Sequence, residues 1–248
     1  MFRKRWFLVI FMFALLLTGC QTNSIETIQE EGKQMSQEEE KQLKEKAIKY
    51  IKEKYNKDFE VSEVSKGQAA GLIRVRGKVK DGKDTEVTVI WEKDNEIKDT
   101  YVIALWRQEL SPKITAMINK YMDVRRIESI SYSNGKRPHK YSGEVPSVFE
   151  VLKNGGDKDF TLVITARIYN DNGLYESGLK NFLKEAQSMN FNKVMMEVFV
   201  ADDELKSAPE DVKESSYTLY RYNIVIDDIQ KVDIDNLDLD QYKTVIKE

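Results

Sequence analysis

The apolar and polar positions along the chain divide it into segments of different period. An uncharged apolar run extends from Trp6 to Leu17, behind Arg3, Lys4 and Arg5. It is too short to cross a hydrocarbon core of about 30 Å as a helix rising roughly 1.5 Å per residue. Residues 21–35 are polar except for Ile25, Ile28 and Met35, and read as a flexible tether with an r.m.s. reach of roughly 20 Å. From Ser36 the pattern becomes helical. Ser36 and Glu39 have the S-x-x-E spacing of a capping box, and Leu43, Ala47, Ile51 and Tyr55 recur every fourth residue with Ile48 beside them. A helix to about Tyr55 is expected, with Glu45 and Lys49 placed to pair at i,i+4.

The period then changes to two. Phe59, Val61 and Val64 open a strand region, and Ile73, Val75, Gly77 and Val79 alternate with Arg74, Arg76 and Lys78. Asp81-Gly82 predicts a hairpin turn, after which Val87, Val89 and Trp91 share one face; Asp94-Asn95 predicts another turn. The stretch from Asp99 to Trp106 fits either strand or helix. Ser111-Pro112 reads as an N-cap followed by proline at N1, opening a helix on Ile114, Met117, Ile118 and Tyr121.

The second half repeats the mixture. A strand is expected at Ile127–Tyr132, a turn at Asn134-Gly135, a basic loop at residues 136–140 and a short helix over Phe149–Lys153, broken by Gly155-Gly156. Phe160, Leu162, Ile164, Ala166 and Ile168 mark the clearest strand, Phe160–Tyr169. A helix follows from Leu174 to Met189 with Leu179, Phe182, Leu183 and Ala186 on one side, then strands at Val194–Val200 and Leu219–Ile226. The connection between those strands is expected to hold a helical turn at Ser207-Ala208-Pro209-Glu210, and an acidic, solvated tail to begin at Asp227. The class this predicts is α+β: two small lobes, residues 36–125 and 126–248, each a mainly antiparallel sheet backed by helices.

The N-terminal pattern carries one specific motif. Positive residues, the apolar run and Leu17-Thr18-Gly19-Cys20 occur in that order. Together they resemble the signal peptide and lipobox of bacterial lipoproteins. The resemblance implies that residues 1–19 are removed between Gly19 and Cys20, and that Cys20 carries the lipid that holds residues 20–35 and the lobes at the outer side of a membrane. Cys20 is the only cysteine, so an exported chain would have no internal disulfide. Two or three acyl chains give stable anchorage where one is marginal. The layout of the tether, Lys41–Tyr55, the Trp106-Arg107-Gln108-Glu109 segment and the Phe160–Tyr169 strand with its helix is also similar to lipoprotein families of Gram-positive bacteria. Those families have no assigned function and imply no further site residues.

Composition narrows the chemistry. Loss of the three leader cations takes the net charge from −3 to about −6, which argues against general nucleic-acid binding and against electrostatic docking on anionic lipid. His139 is the only histidine, so a histidine-rich metal centre and an H-E-x-x-H protease are excluded. A triad would have to use His139, which reads as a solvated loop residue with no G-x-S-x-G elbow in the chain. No phosphate-loop or dinucleotide fingerprint occurs, and Gly67 and Gly71 lie at G-x-x-x-G spacing in a polar stretch, where they permit a turn. Asp233, Asp235, Asp238 and Asp240 cluster without the glycine of a calcium loop. With Gly173 at the sixth place of such a loop, Ile168 and Leu179 fall at the first and twelfth ligand positions. No catalytic, metal or cofactor residues are assigned. The expected function is a non-catalytic interaction protein of the cell envelope, anchored through Cys20 and binding a protein or envelope partner; toxin immunity and an envelope or secretion accessory role both fit. The alternatives are a solute-binding lipoprotein of a transporter, which predicts a deep interlobe cleft lined by aromatics, and a carboxylate-dependent hydrolase, which predicts two facing buried carboxylates.

Overall fold

The computed structural model describes residues 35–67, 71–92 and 96–247. The expected leader with Gly19 and Cys20, the expected tether up to residue 34 and the expected Asp94-Asn95 turn lie outside the described residues. Both sheets belong to one unit, Glu38–Glu248.

Helix α1 (Gln37–Tyr55) starts directly after Ser36, with Glu38, Glu39 and Glu40 in its first turn and Lys52 and Lys54 in its last. Charges in that order complement the helix dipole. Leu43, Ala47, Ile51 and Tyr55 are buried as the four-residue period requires, whereas Ile48 falls off the stripe and is 42% exposed. Lys49 pairs with Glu53 at 3.7 Å, not with Glu45. The helix stops where Asn56 takes a left-handed φ of 54°.

Four strands follow as an antiparallel meander: β1 (Asp58–Lys66), β2 (Ile73–Lys80), β3 (Thr85–Trp91) and β4 (Ile97–Asp99). Phe59, Val75, Val79, Val87, Val89 and Trp91 fill the inner face. Gly77 cannot be replaced by a residue with a side chain without displacement, because a Cβ there would lie 2.3 Å from the Glu60 carbonyl oxygen. The β1 register shifts beside it, between Val61 and Glu63.

Helix α2 (Tyr101–Tyr121) corrects two expectations. The ambiguous stretch after Asp99 is helical from Tyr101, and Ser111-Pro112 does not open a helix but lies within one. Proline removes a backbone donor and costs about 3 kcal/mol in a helix interior. Here Leu110 on one side and Ile114, Met117 and Ile118 on the other are buried along one face, and that burial outweighs the local penalty. The Ser111 hydroxyl donates back to the Arg107 carbonyl at 2.7 Å instead of capping.

The second sheet has the order β5 (Val124–Ser133), β6 (Thr161–Tyr169), β7 (Lys193–Ala201), β8 (Thr218–Ile226) and β9 (Lys243–Val245). All its pairs are antiparallel except β6–β7, which is parallel. A parallel pair needs a crossover. Helix α4 (Tyr175–Ser188) supplies it, burying Leu179, Phe182, Leu183 and Ala186. The short α3 (Val148–Lys153) precedes β6, capped by the Ser147 hydroxyl, which accepts from the Phe149 N–H. The fold is thus α+β, with two mainly antiparallel sheets backed by helices. A Cβ on Gly178 of α4 would lie 2.3 Å from the Tyr121 carbonyl at the end of α2, so these helices meet backbone to backbone. Trp106 of α2 packs on Tyr132 and Phe160 at ring separations of 5.8 and 4.6 Å, which ties α2 into the second sheet. The expected seam at residues 125/126 falls inside β5.

Two more details differ from expectation. The turns between β7 and β8 are 3-10 helices at Asp203–Ser207 and Glu214–Tyr217, not a turn on residues 207–210. The acidic C-terminal stretch is not a plain solvated tail: Ile229, Ile234 and Leu239 are buried and anchor it, and β9 closes the sheet. Asp233, Asp235, Asp238 and Asp240 are exposed, and Asp233 accepts from Asn236 and from the Asp235 N–H.

Candidate functional site

Helices α2 and α4 lie on the inner face of the second sheet. Among the described residues, the outer face is covered at one end, where Leu205, Val212 and Tyr217 of the β7–β8 connection rest on Tyr169 and Ala201. Strand pairing arranges the remaining outer side chains in rows. Ser131, Val163, Met195 and Val225 form one row across four strands. The next contains Ser129, Thr165, Glu197 and Asn223, and a third Arg126, Arg167, Phe199 and Arg221.

The first row is the distinctive one. Val163 is half-buried, while Met195 and Val225 are 42% and 49% exposed. With Thr165, Glu197 and Asn223 they line a shallow depression of about 310 Å³. A contiguous apolar patch left in water marks an interaction surface more often than isolated exposed side chains do. Covering the exposed half of each residue is worth on the order of 1 kcal/mol.

The third row is held rather than free. The Arg167 guanidinium donates to the Thr218 hydroxyl at 2.8 Å and lies 5.1 Å from the centre of the Phe199 ring, with Arg221 at 5.8 Å. Arg221 donates to Glu197 at 2.9 Å. Glu214 accepts from Arg125 at 3.0 Å and lies 3.2 Å from Arg126 and 3.3 Å from Arg167. Burial alone would raise the Glu214 carboxyl, but the hydrogen bond from Arg125 and the charges of Arg126, Arg125 and Arg167 bring it below its ordinary value. Four arginines and two glutamates therefore fix the end of the face next to the apolar row.

A second polar cluster lies elsewhere. Asp99, at the end of β4, has a side chain with no exposed surface. It accepts from the hydroxyls of Tyr50 at 2.7 Å and Tyr55 at 2.9 Å, from the Lys54 ammonium at 2.7 Å and from the Tyr101 N–H at 3.0 Å. Burial would raise its pKa, yet His139, Lys54 and Tyr50 hold it well below the usual carboxylate range. Burial and the Asp99 charge push the Tyr50 and Tyr55 hydroxyls strongly up.

His139 is the clearest correction to the sequence reading. It is not solvated: its side chain is 4% exposed, its Nε2 lies 3.6 Å from Asp99 and 3.2 Å from the Tyr55 hydroxyl, and its Nδ1 has no hydrogen-bond partner among the described residues. Loop residues around it explain this. Gly143 N–H donates to the Lys54 carbonyl, and Trp106 Nε1 donates to the Pro146 carbonyl, so the loop is bound down across α1 and α2.

The other buried carboxylate, Asp157, accepts from the Tyr141 hydroxyl at 2.6 Å. Burial raises it and Tyr141 lowers it, with a lowered value as the balance. A general acid needs the opposite shift. Among the described residues no group of His, Cys, Asp or Glu is arranged to hold a metal ion. No helix among them is long and apolar enough to cross a membrane. No protein family, curated protein or solved structure matches the chain.

Sequence reading named no residue of the apolar row, although a signal for it was present. Leu162-Val163-Ile164, Val194-Met195-Met196 and Ile224-Val225-Ile226 are uninterrupted apolar triplets. A triplet in a strand places apolar groups on both faces, and the pairing brings the three middle residues side by side.

Proposed function

We propose that this protein is a membrane-anchored lipoprotein on the extracytoplasmic face of the cell envelope that acts by binding a protein partner, without catalysis, through the outer face of its second sheet. Anchorage rests on Arg3, Lys4 and Arg5, the apolar run and Leu17-Thr18-Gly19-Cys20. The observation that carries the binding role is the row Val163, Met195 and Val225, left to water beside a set of arginines already paired. Its almost wholly apolar surface, with few polar groups to orient a small solute, fits a protein surface better.

The test uses a photo-crosslinking residue at position 195 in the full chain on intact cells, with position 98 of β4 as the comparison. One discrete adduct from position 195, absent from position 98 and abolished by Val225→Lys, is the expected result. Equal labelling from both positions refutes the binding face. Anchorage is tested separately: Cys20→Ala should leave the membrane fraction, and an unmodified thiol on Cys20 in the native protein would refute it.

A further inference from the structure

The alternation of Arg74, Arg76 and Lys78 on β2 has no part in the partner face. Arg76 and Lys78 point outward from the first sheet, and α2 passes beside the exposed edge of β3 where β4 ends. Thr100, just before α2, closes this corner: its N–H donates to the Thr88 carbonyl at 3.1 Å and its hydroxyl accepts from the Thr88 N–H at 2.9 Å. Between sheet and helix lies a cleft of about 430 Å³, with Arg76, Lys78, Arg107, Ser62 and Thr88 among its lining residues, and Glu86 at its side.

Three cations converge there in a chain whose net charge is −3. Arg76 is partly committed, with one nitrogen 3.1 Å from Glu63. Lys78 and Arg107 form no ion pair among the described residues and are exposed. Cations gathered in one cleft favour an anion between them, and here Arg76 has an ion-pair partner in Glu63 whereas Lys78 and Arg107 have none among the described residues, with Glu86 the one carboxylate in the lining. Two guanidinium forks, one ammonium and two or three hydroxyls match the several oxygens of a phosphate group, which arginine binds bidentately. Glu86 adds one acceptor beside these donors. It repels a bare polyphosphate and can accept from a hydroxyl or ammonium on a substituted one. The volume is within the range of small-ligand sites.

From this geometry we infer that the cleft between β2, β3 and the first turns of α2 binds a phosphate ester carrying a hydroxyl or ammonium group. Lys78 and Arg107 are the main phosphate donors, Arg76 assists and Glu86 selects the substituent. The same chemistry is presented by a soluble phosphate ester and by a phospholipid headgroup.

Calorimetry on the detergent-solubilised full chain, titrated with glycerol phosphate, tests the site. Saturable, salt-sensitive binding is expected, weakened at least tenfold by the Lys78→Gln/Arg107→Gln pair and several-fold by Arg107→Gln alone. A Lys136→Gln/Arg137→Gln pair, equal in charge change but outside the cleft, should bind as the wild type does. Glu86→Gln should narrow the preference for glycerol phosphate over inorganic phosphate. Flotation of Cys20→Ala with phosphatidylglycerol vesicles, but not phosphatidylcholine vesicles, assigns the source to a headgroup; soluble binding without flotation assigns it to a free ester. Absence of both, or equal weakening by the Lys136/Arg137 pair, overturns the inference. Melting curves of the cleft variants should match the wild type, and the single Arg107 variant provides the reading if the double variant does not fold.

Discussion

The two sheets share one design on their inner faces and differ on their outer ones. In each, alternate strand residues are buried against helices. On the first sheet several outer positions are charged and cross-paired, Arg76 with Glu63 at 3.1 Å and Lys80 with Glu60 at 2.7 Å. On the second, three adjacent strands put Val163, Met195 and Val225 outward at the same level. Charged neighbours make an outer face that is stable in water by itself and resists pairing with other sheets. An apolar row gains when something covers it. The outer face of the second sheet therefore carries the proposed partner surface, while the first has a bounded polar cleft beside α2.

Changes inside the first sheet should have the largest effect on this contrast. Gly77→Val should destabilise by about 3 kcal/mol or more in urea unfolding, because the new Cβ meets the Glu60 carbonyl at 2.3 Å and β1 must move. Asp99→Ala should cost about 3 kcal/mol, since it strands the Lys54 ammonium and two tyrosine hydroxyls in a largely buried site. The sign of the pH effect follows from the lowered Asp99 pKa. Its contribution is present above the unfolded carboxylate value of about 3.9 and is lost as pH falls below that toward the folded value. Acid unfolding followed by circular dichroism should show a steeper loss below about pH 4 in the wild type than in Asp99→Ala.

Outer-face changes should separate binding from folding. Met195→Ser with Val225→Thr should shift stability by about 0.5 kcal/mol or less, as exposed substitutions do, while a photo-crosslinker placed instead at the neighbouring position 223 of the same depression no longer yields the adduct. If that pair instead unfolds the chain, the row is part of the core and the contrast between the sheets collapses. Smallest of all, Glu63→Ala should cost about 0.3 kcal/mol, the usual value of an exposed pair. A larger loss would mean that the charged lattice of the first sheet is structural.

Much of the fold was legible because its periods are strong. The α1 stripe, the alternation in β2 and β3, and the α4 face all place buried residues where their spacing requires. The proline in α2 was misread because a local rule, proline at a helix start, was outweighed by burial on both sides of it. His139 was misread because its neighbours in sequence are basic and polar, whereas its neighbours in space are Tyr55 and Asp99. The apolar row was legible only as three separate triplets, since their alignment depends on pairing between strands far apart in sequence.

The chain by itself determined where most of the helices and strands lie, which face of those is buried, and the residue pattern ending at Cys20 that resembles a leader and lipobox. These depend on neighbours within one or two turns. Tertiary structure alone decided that Asp99 is buried with its partners, that Arg76, Lys78 and Arg107 share a cleft, and that Val163, Met195 and Val225 lie in register. Each of those is a meeting of groups from different elements, and charge, burial and contact area at such a meeting are set by how the elements pack, not by the order of residues in any one of them.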